Sequence, residues 1–413
     1  MALYYYAYSK LIQEELQMKF HFLGTNQYSI GVEIELQILD ASTYDLIPQS
    51  EELLSVCKEI GLKRVKMEIH QSMLEIDSEI SSNVKECREF LENRFIQLNE
   101  LMESFDLLLG ITGTHPFQKW SDGLISKGAR YQVLHEKFQW LVRRMNVYGL
   151  HVHVGMPSGD RALAVSRAMI RYLPHFLALS ANSPFWQGVD TGMQSCRVNI
   201  MESFPSGGIP PVFKNWQEFE YFYHTLHSSG TISSLKDLYW FIRPNLSFGT
   251  IEFRICDAMS TLTETMALVA LIHCLCVKTS REIDEGVFHE CSLEDHWIAP
   301  HNQWIAARDG LEGEIVVLDR KNEKIGDAVL ELVDELMPIA KELNCNEELS
   351  YLRKIVCEGN GAQRQRSHYA ETLSLQHVVA KANEEFKADL CKKYSPFVGQ
   401  LGESVREECG AHV

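Results

Sequence analysis

The 413-residue sequence has no CxxC pair, no GxxxxGK[ST] or GxGxxG loop, no internal repeat and no low-complexity tract. An odd total of 11 cysteines without a CxxC pair disfavours a disulfide framework and a thiolate zinc array, and points to reduced thiols. Without a glycine-rich phosphate cradle, neither the P-loop nor the Rossmann solution to nucleotide binding is in use. Long apolar runs are also missing: the greasiest stretch, Met266 to Val277, falls well short of the roughly 20 residues a membrane span needs. Met1 to Phe22 mixes Tyr, Lys, Glu and Gln and has no apolar leader core, so a cytoplasmic protein with no membrane partner is expected. Positive charge is scarce. Lys plus Arg number 39 against 56 for Asp plus Glu, a net −17 that repels phosphate backbones and makes a nucleic-acid partner a poor expectation. Between Arg281 and Glu335, fifteen acidic residues stand against five basic ones, so much of the excess is one local acidic surface.

What is present is the material of a soluble globular protein with a substantial core: 45% hydrophobic and 23% charged residues. Tyr28 to Leu39 alternates apolar and polar side chains with the period of a strand, and Arg64 to Ile80 reads as two short strands joined near Gln71. Asn83 and Glu86 have capping-box spacing, followed by helical periodicity up to Gly110. Strands are expected at Ile111 to Phe117, Gly149 to Gly155, Tyr239 to Asn245 and Thr250 to Ile255, the last two forming a hairpin. A helix is expected from about Asp160 to Leu179, then a loop rich in Ser, Gly, Pro and Asn from Ala181 to Pro211, the kind that covers sites. From Thr263 onward the pattern is helical. The division expected is an N-terminal segment 1–27, a catalytic domain 28–300 and a mainly helical part 301–413 packed on it, with Ala299 to Glu314 as the candidate boundary. The aromatic run Tyr4, Tyr5, Tyr6 and Tyr8 is assigned to packing or a subunit contact. The aromatics of WQEFEYFYHTLH, from Trp216, are assigned to core, and His70, His175 and His224 to structural roles. His115, before a proline, stands closer to function.

Chemistry concentrates on three strands of one design. Glu33 and Glu35 project from one strand face with Cα atoms about 7 Å apart. His151 and His153 repeat that spacing in GLHVHVG, and Glu252 and Arg254 repeat it in GTIEFRICD, with apolar residues on the alternate positions. Glu68 and Glu75 join the same face only if the chain turns between them. Two carboxylates at ~4 Å repel by roughly 4 kcal/mol at an effective dielectric of 20 unless they are solvated or share a cation. Many carboxylates, one or two imidazoles and no thiolates suit hard divalent ions, Mg²⁺ or Mn²⁺, and magnesium points to a nucleotide lying against a sheet. Arg254 beside Glu252 suits a cation over a transferred phosphoryl group.

GVEIEL at Gly31, EIHQSMLEI at Glu68, TGTHPF at Thr112, GLHVHVG at Gly149, ALSANSPFWQGVDTGMQSCR at Ala178, RPN at Arg243, GTIEFRICD at Gly249 and GAQRQR at Gly361 resemble the bacterial type 2 glutamate-cysteine ligases, or carboxylate-amine ligases. The resemblance spans roughly residues 28 to 380. It implies an α+β, glutamine-synthetase-like catalytic fold: a curved, mainly antiparallel sheet flanked by helices, holding ATP and two or three Mg²⁺ in its concave face. It further implies Glu33, Glu35, Glu68, Glu75, His151 and Glu252 as metal ligands, and His153 near the nucleotide phosphates. Arg254 would act on the γ-phosphoryl group, and Arg243 and Arg197 would contact the acceptor carboxylate or acyl phosphate. The implied substrates are a small carboxylate, glutamate by default, and an amine, cysteine or another; a homodimer is also implied. Roles for Arg364 and Arg366 stay open. Two alternatives remain: a metal-dependent amidohydrolase built on the His-x-His pair, and a catalytically weak paralogue that binds nucleotide.

Overall fold

A computed structural model of the chain describes residues 20–25, 27–287, 292–317 and 321–391. The tyrosine run at Tyr4 to Tyr8 and most of segment 1–27 lie outside these residues. Seven strands make the main sheet: β1 (Ile30–Asp40), β2 (Val65–Met67), β3 (Met73–Asp77), β4 (Leu107–Gly110), β5 (Leu150–Gly155), and the hairpin strands Ile242–Asn245 and Thr250–Phe253. Phe185–Trp186 and Val189–Asp190 form a separate small hairpin, β6 and β7, so the last two sheet strands are β8 and β9. The order is β2-β3-β1-β5-β9-β8, with β4 also on β1, and every ladder runs antiparallel. The expected α+β architecture, an antiparallel sheet with helices, is what is found.

Alternation gives the sheet two unlike faces. Val32, Ile34 and Leu36 of β1, Leu74 and Ile76 of β3, Val152 and Val154 of β5 and Ile251 and Phe253 of β9 point one way and are all at most 1% exposed. Against them lie α1 (Val84–Glu103) and the central helix Leu262–Glu285, both in the same hydrophobic core. That central helix is long and apolar enough to cross a membrane by length and composition, but 89% of its most apolar window is buried inside the protein. It serves as the core helix of the domain.

Several boundaries differ from the sequence pattern. Helix α1 stops at Glu103 instead of running to Gly110, because Asp106 takes a left-handed φ of 55° and Leu107–Gly110 pairs with β1 as β4. Leu108 and Leu109 sit in a short apolar run, which periodicity cannot divide between helix and strand. Ile111 to Phe117, expected as a strand, is irregular. The Asn83 side chain does accept from the Glu86 N–H at 3.0 Å, but the Glu86 carboxylate reaches back to Ser82, one residue beyond the cap. The helix expected over 160–179 is split into Gly159–Met169 and Leu173–Ser180, where Pro174, lacking an N–H, begins a new helix. A boundary at 300/301 falls inside the helix Leu293–Asp309, and one core cluster runs from Phe22 to Leu390.

Phe253 backs the site between Glu252 and Arg254 and meets Phe176 edge-on at 5.7 Å. Phe253→Ala is expected to lower unfolding free energy by about 3–5 kcal/mol in urea titrations. A loss under about 1 kcal/mol would mean that this side of the sheet is not the tightly packed one.

Candidate active site

The other face carries the polar residues, and strand register sets them in three rungs. Lys66, Glu75 and Glu35 are cross-strand partners in one; Asp77, Glu33 and His151 in the next; Gly31, His153, Glu252 and Arg243 in the third. Glu68 joins from the β2–β3 connection. There the chain turns at Gln71 and Ser72 and is braced from the neighbouring loop, with the Ser126 N–H donating to the Ile69 carbonyl and the Gln71 N–H to the Leu124 carbonyl. The turn that the odd spacing of Glu68 and Glu75 requires is therefore present.

Ligand-type atoms of Glu33, His153 and Glu252 lie within 4.8 Å of one another, as do those of Glu33, Glu75 and His151, and those of Glu35, Glu68 and Glu75. These three groups share Glu33 and Glu75. His151 Nδ1 is 3.3 Å from Glu33 Oε2, and His153 Nδ1 is 3.0 Å from Thr250 Oγ1, while each ring keeps a buried Nε2 with no hydrogen-bond partner among the described residues. The expectation for His153, nucleotide phosphates, meets a position beside Glu33 and Glu252 that also suits a cation. Glu252 is gripped on two sides. Arg243 Nε and Nη2 donate to its two oxygens at 2.9 and 3.2 Å, Arg254 Nη1 donates to Oε1, and Arg254 Nε is buried with no acceptor among the described residues.

Charge on this wall is unbalanced: six carboxylates, Asp77 included, face Lys66, Arg243 and Arg254 on the sheet strands, with Arg130 and Lys236 farther out on the lining of the cleft. The protein meets the excess in two ways. Burial opposes ionisation of Glu33 and Glu252, but the hydrogen-bonded His151 and the ring of His153, its Nε2 3.6 Å from Glu33 Oε1, hold Glu33 far below the usual carboxylate range, and the charges of Arg243 and Arg254 do the same for Glu252. Elsewhere burial wins. It pushes Glu68 up to about 8, with Glu35 adding repulsion, and raises Glu75 well above its ordinary value, with Glu68 and Glu33 adding theirs. Burial would discharge His153, but the nearby carboxylates of Glu33 and Glu252 raise it, whereas burial and then Arg254 lower His151. Hard oxygen donors, orphaned imidazole nitrogens and surplus negative charge fit divalent cations held by Glu33, Glu35, Glu68, Glu75, His151, His153 and Glu252.

The wall floors a cleft of about 510 Å³, rimmed by Met67, Tyr131, Leu134, Met145, Met201 and Phe248. Through Lys236, Arg243, Asn245 and Ser247 it adjoins a second space of about 750 Å³ lined by Phe20, Tyr223, His224 and His227. The helix bearing those last three residues, Trp216–Ser228, buries only Phe219 fully, so part of the aromatic stripe expected in the core lines this space. The turn between β8 and β9 depends on Gly249, which has φ 64° and where a Cβ would meet the Leu23 carbonyl oxygen at 1.7 Å.

Arg197 is a correction. Expected at the substrate, it is 1% exposed beneath the site, its Nη1 3.9 Å from Asp257 and directed at the carbonyls of Arg254 and Ile255. It packs against the Cα of Gly149, whose N–H donates to Glu35, at a spot where any Cβ would collide with its guanidinium. Its motif neighbourhood gave no sign of which way this short helix would face. His115 is buried and bonded to the Tyr44 carbonyl at 2.8 Å, away from the cleft. Arg364 pairs with Glu264 and Glu385, and Arg366 with Asp190, so both act as ties between helices and loops. The sequence reading missed Lys66, which contacts Asp77 and lies 3.3 Å from Glu75 Oε1. The alternation in RVKMEI and the i, i+2 spacing of Glu75 and Asp77 held that signal.

The chain matches the sequence model of the Glutamate-cysteine ligase family 2 (GCS2) over residues 29–387. It is 41% identical over 367 residues to the "Putative glutamate--cysteine ligase 2" of Gloeobacter violaceus, covering 88% of this chain and 98% of that protein. The protein of the same name from Bdellovibrio bacteriovorus is 37% identical over 370 residues, covering 89% and 97%. The chain belongs to glutamate-cysteine ligase family 2. Its fold is similar to the crystal structure of glutamate-cysteine ligase from Francisella tularensis in complex with AMP (TM-score 0.63, 12% identity, 94% of each chain). It is equally similar to a bifunctional glutathione synthetase from Pasteurella multocida (TM-score 0.63, 14% identity), of which it spans 53% while 92% of this chain is covered. The fold is thus one shared with these two structures.

Because burial raises Glu68 to about 8 and Glu75 above the ordinary carboxylate range, a divalent cation that binds them competes with protons. Mn²⁺ or Mg²⁺ binding is expected to release protons at pH 7 and to tighten from pH 6 to 8, by up to about tenfold per pH unit for each proton released. Calorimetry in two buffers of different ionisation enthalpy measures this. Identical heats in both buffers would contradict the assignment of these carboxyls.

Proposed function

We propose that this family member is an ATP- and Mg²⁺-dependent carboxylate-amine ligase. It joins the γ-carboxylate of glutamate to the amine of cysteine or another small amine through an acyl phosphate. The observation that carries the reading is the gathering of acidic and imidazole side chains from β1, β3, β5 and β9 on one wall, with Arg254 and Arg243 at one end of it. Glu33, Glu35, Glu68, Glu75, His151 and Glu252 would hold magnesium, which would supply positive charge against the charge that develops on the phosphates. The two adjoining spaces, about 510 and 750 Å³, give room for a nucleotide and an acid together.

In the first half-reaction a γ-carboxylate oxygen attacks the γ-phosphorus of ATP, the bond to the bridging oxygen breaks and ADP leaves. In the second, the amine nitrogen attacks the acyl carbon, the bond to phosphate breaks, phosphate leaves and the nitrogen loses a proton. Both steps gather negative charge, and the protein's part is to hold positive charge still where it forms. Arg254 is suited to this: burial opposes its charge, but Glu252 outweighs burial and keeps it protonated, and its unfilled Nε can donate to a phosphoryl oxygen. Arg243, anchored on Glu252 and the Leu238 carbonyl, can orient a substrate carboxylate from the seam between the two spaces. The apolar rim of Met67, Leu134, Met145 and Met201 limits water, which would otherwise hydrolyse the acyl phosphate. An amidohydrolase built on the His-x-His pair would call for parallel strands alternating with helices, whereas every ladder of this sheet is antiparallel.

Phosphate release from ATP and Mg²⁺ is expected to depend on both an acid and an amine, with glutamate and cysteine as the first pair in the screen. If no acid and amine pair stimulates it, the proposal fails, and a nucleotide-binding paralogue without turnover becomes the better reading. Glu252→Gln removes one ligand charge and loosens both arginines at constant volume, so kcat is expected to fall about 10²-fold or more with the fold intact. Arg254→Lys replaces a planar fork by a point charge and is expected to cost about 10²-fold or more in kcat. Steady-state rates near wild type for either variant would remove that residue from the mechanism.

A further inference from the structure

The cleft of about 510 Å³ and the neighbouring space of about 750 Å³ share four lining residues, Lys236, Arg243, Asn245 and Ser247. All four can donate hydrogen bonds, and among the described residues no Asp or Glu lines the larger space. The other cations of the cleft are already paired. Lys66 lies 3.3 Å from Glu75, Arg130 3.4 Å from Asp237 and Arg243 2.9 Å from Glu252, which also holds Arg254. Of the cations lining the cleft, only Lys236 has no carboxylate partner among the described residues.

The backbone beneath Lys236 is nevertheless fixed. It lies in the single 3-10 turn Leu235–Asp237, where its carbonyl accepts from Arg130 Nη2 at 3.2 Å. The buried Asp237 carboxylate next to it accepts from the Ser233 N–H at 2.7 Å and the Ser233 hydroxyl at 2.6 Å. At the same seam the Asn245 side-chain oxygen accepts from the Phe248 N–H at 3.2 Å, while its amide nitrogen and the Ser247 hydroxyl make no hydrogen bond among the described residues. Three donors without acceptors, one of them charged, suit an oxyanion. The phosphates of a nucleotide travel with divalent cations, which need carboxylate ligands, and the larger space has none, so the oxyanion that fits is a carboxylate. The burial of Arg197 points the same way. It leaves Arg243 as the one arginine of the expected pair at the substrate, and Arg243 is already committed to Glu252 and the Leu238 carbonyl.

We propose, resting on the ligase reading above, that Lys236 with Asn245 and Ser247 holds a second substrate carboxylate, one that takes no part in the reaction, and so selects substrates that carry it. That carboxylate can belong to the acid, as the α-carboxylate of glutamate does, or to an amine that is itself an amino acid.

Lys236→Met removes the charge, and because the side chain is exposed the melting temperature is expected to stay unchanged. Steady-state assays compare glutamate with 4-aminobutyrate, which lacks only the α-carboxylate, and 2-aminobutyrate with propylamine, which lacks only the carboxylate. The variant is expected to raise KM about tenfold or more for one carboxylate-bearing substrate, with kcat and the KM for ATP within about twofold, and to leave kcat/KM for its truncated counterpart unchanged. The pair that shows the difference identifies the source of the carboxylate. Lys236→Arg keeps the charge and is expected to recover most of the loss. Calorimetry with Mg²⁺ and ADP present measures the Kd of glutamate and of 2-aminobutyrate without turnover, and about tenfold weaker binding of one of them by Lys236→Met is expected there too. That loss of affinity in a protein that turns over no acid and amine pair would remove the ligase reading and keep the carboxylate site. Equal effects on full and truncated substrates, an increase confined to the KM for ATP, or affinities indifferent to Lys236 overturn the proposal.

Discussion

Glu33 lies between Asp77 and His151 in a cross-strand row, with Glu35 two residues on and Glu75 opposite it. The mutual repulsion of these carboxylates is the constraint that the surrounding structure answers. Two of them at ~4 Å cost roughly 4 kcal/mol at a surface-like dielectric, and more as water is excluded. Imidazoles from β5 relieve Glu33, arginines from β8 and β9 relieve Glu252, and Lys66 from β2 relieves Glu75 and Asp77. What remains shows in Glu68 and Glu75, which burial and their neighbours' charges raise above the ordinary carboxylate range. A fold would not keep such an array for its own stability, since neutral side chains of like size would pack here at lower cost.

Holding the array requires a rigid backing. Each acidic or basic residue of the wall alternates with an apolar one pointing into a core that spans nearly the whole described chain. Central strands with one fully buried face have little freedom to slip, because a one-residue shift would exchange the two faces entirely. Arg197 extends the same support from below. A buried guanidinium paired with Asp257 fixes Gly149, and the Gly149 N–H in turn orients Glu35. Its contribution is made through Glu35, without contact with the cleft.

Most of the wall was legible because strands have a period of two. Glu33 and Glu35, His151 and His153, and Glu252 and Arg254 announced one face each, and order along the chain suggested that the three strands belong together. Register was not legible. Nothing local says that His153 lies across from Glu252 while His151 lies across from Glu33, and so the division of the two histidines between cation and phosphate could not be read from spacing. The strand at Leu107–Gly110 was hidden for a related reason: its apolar residues fit a continuing helix until Asp106 turns the backbone. The direction taken by Arg197 was hidden because it depends on tertiary packing alone.

The wall is also polarised along its length. At the β8–β9 end Arg243 and Arg254 converge on a single carboxylate, leaving positive charge to spare; at the β2–β3 end Lys66 is shared between Glu75 and Asp77 and leaves none. Between them Glu33, Glu35 and Glu68 have no arginine or lysine of their own. A polyanionic ligand laid along such a surface would find donors at the arginine end and would reach the acidic middle only through intervening cations. On the function proposed above, strand order would set the direction in which a phosphate chain lies, with its most electrophilic end toward Arg254. That Arg254 is tethered by Glu252 matters as much as its charge. A guanidinium already desolvated and held in place need not reorganise as charge develops beside it, which is the condition under which a fixed cation is worth most to a reaction.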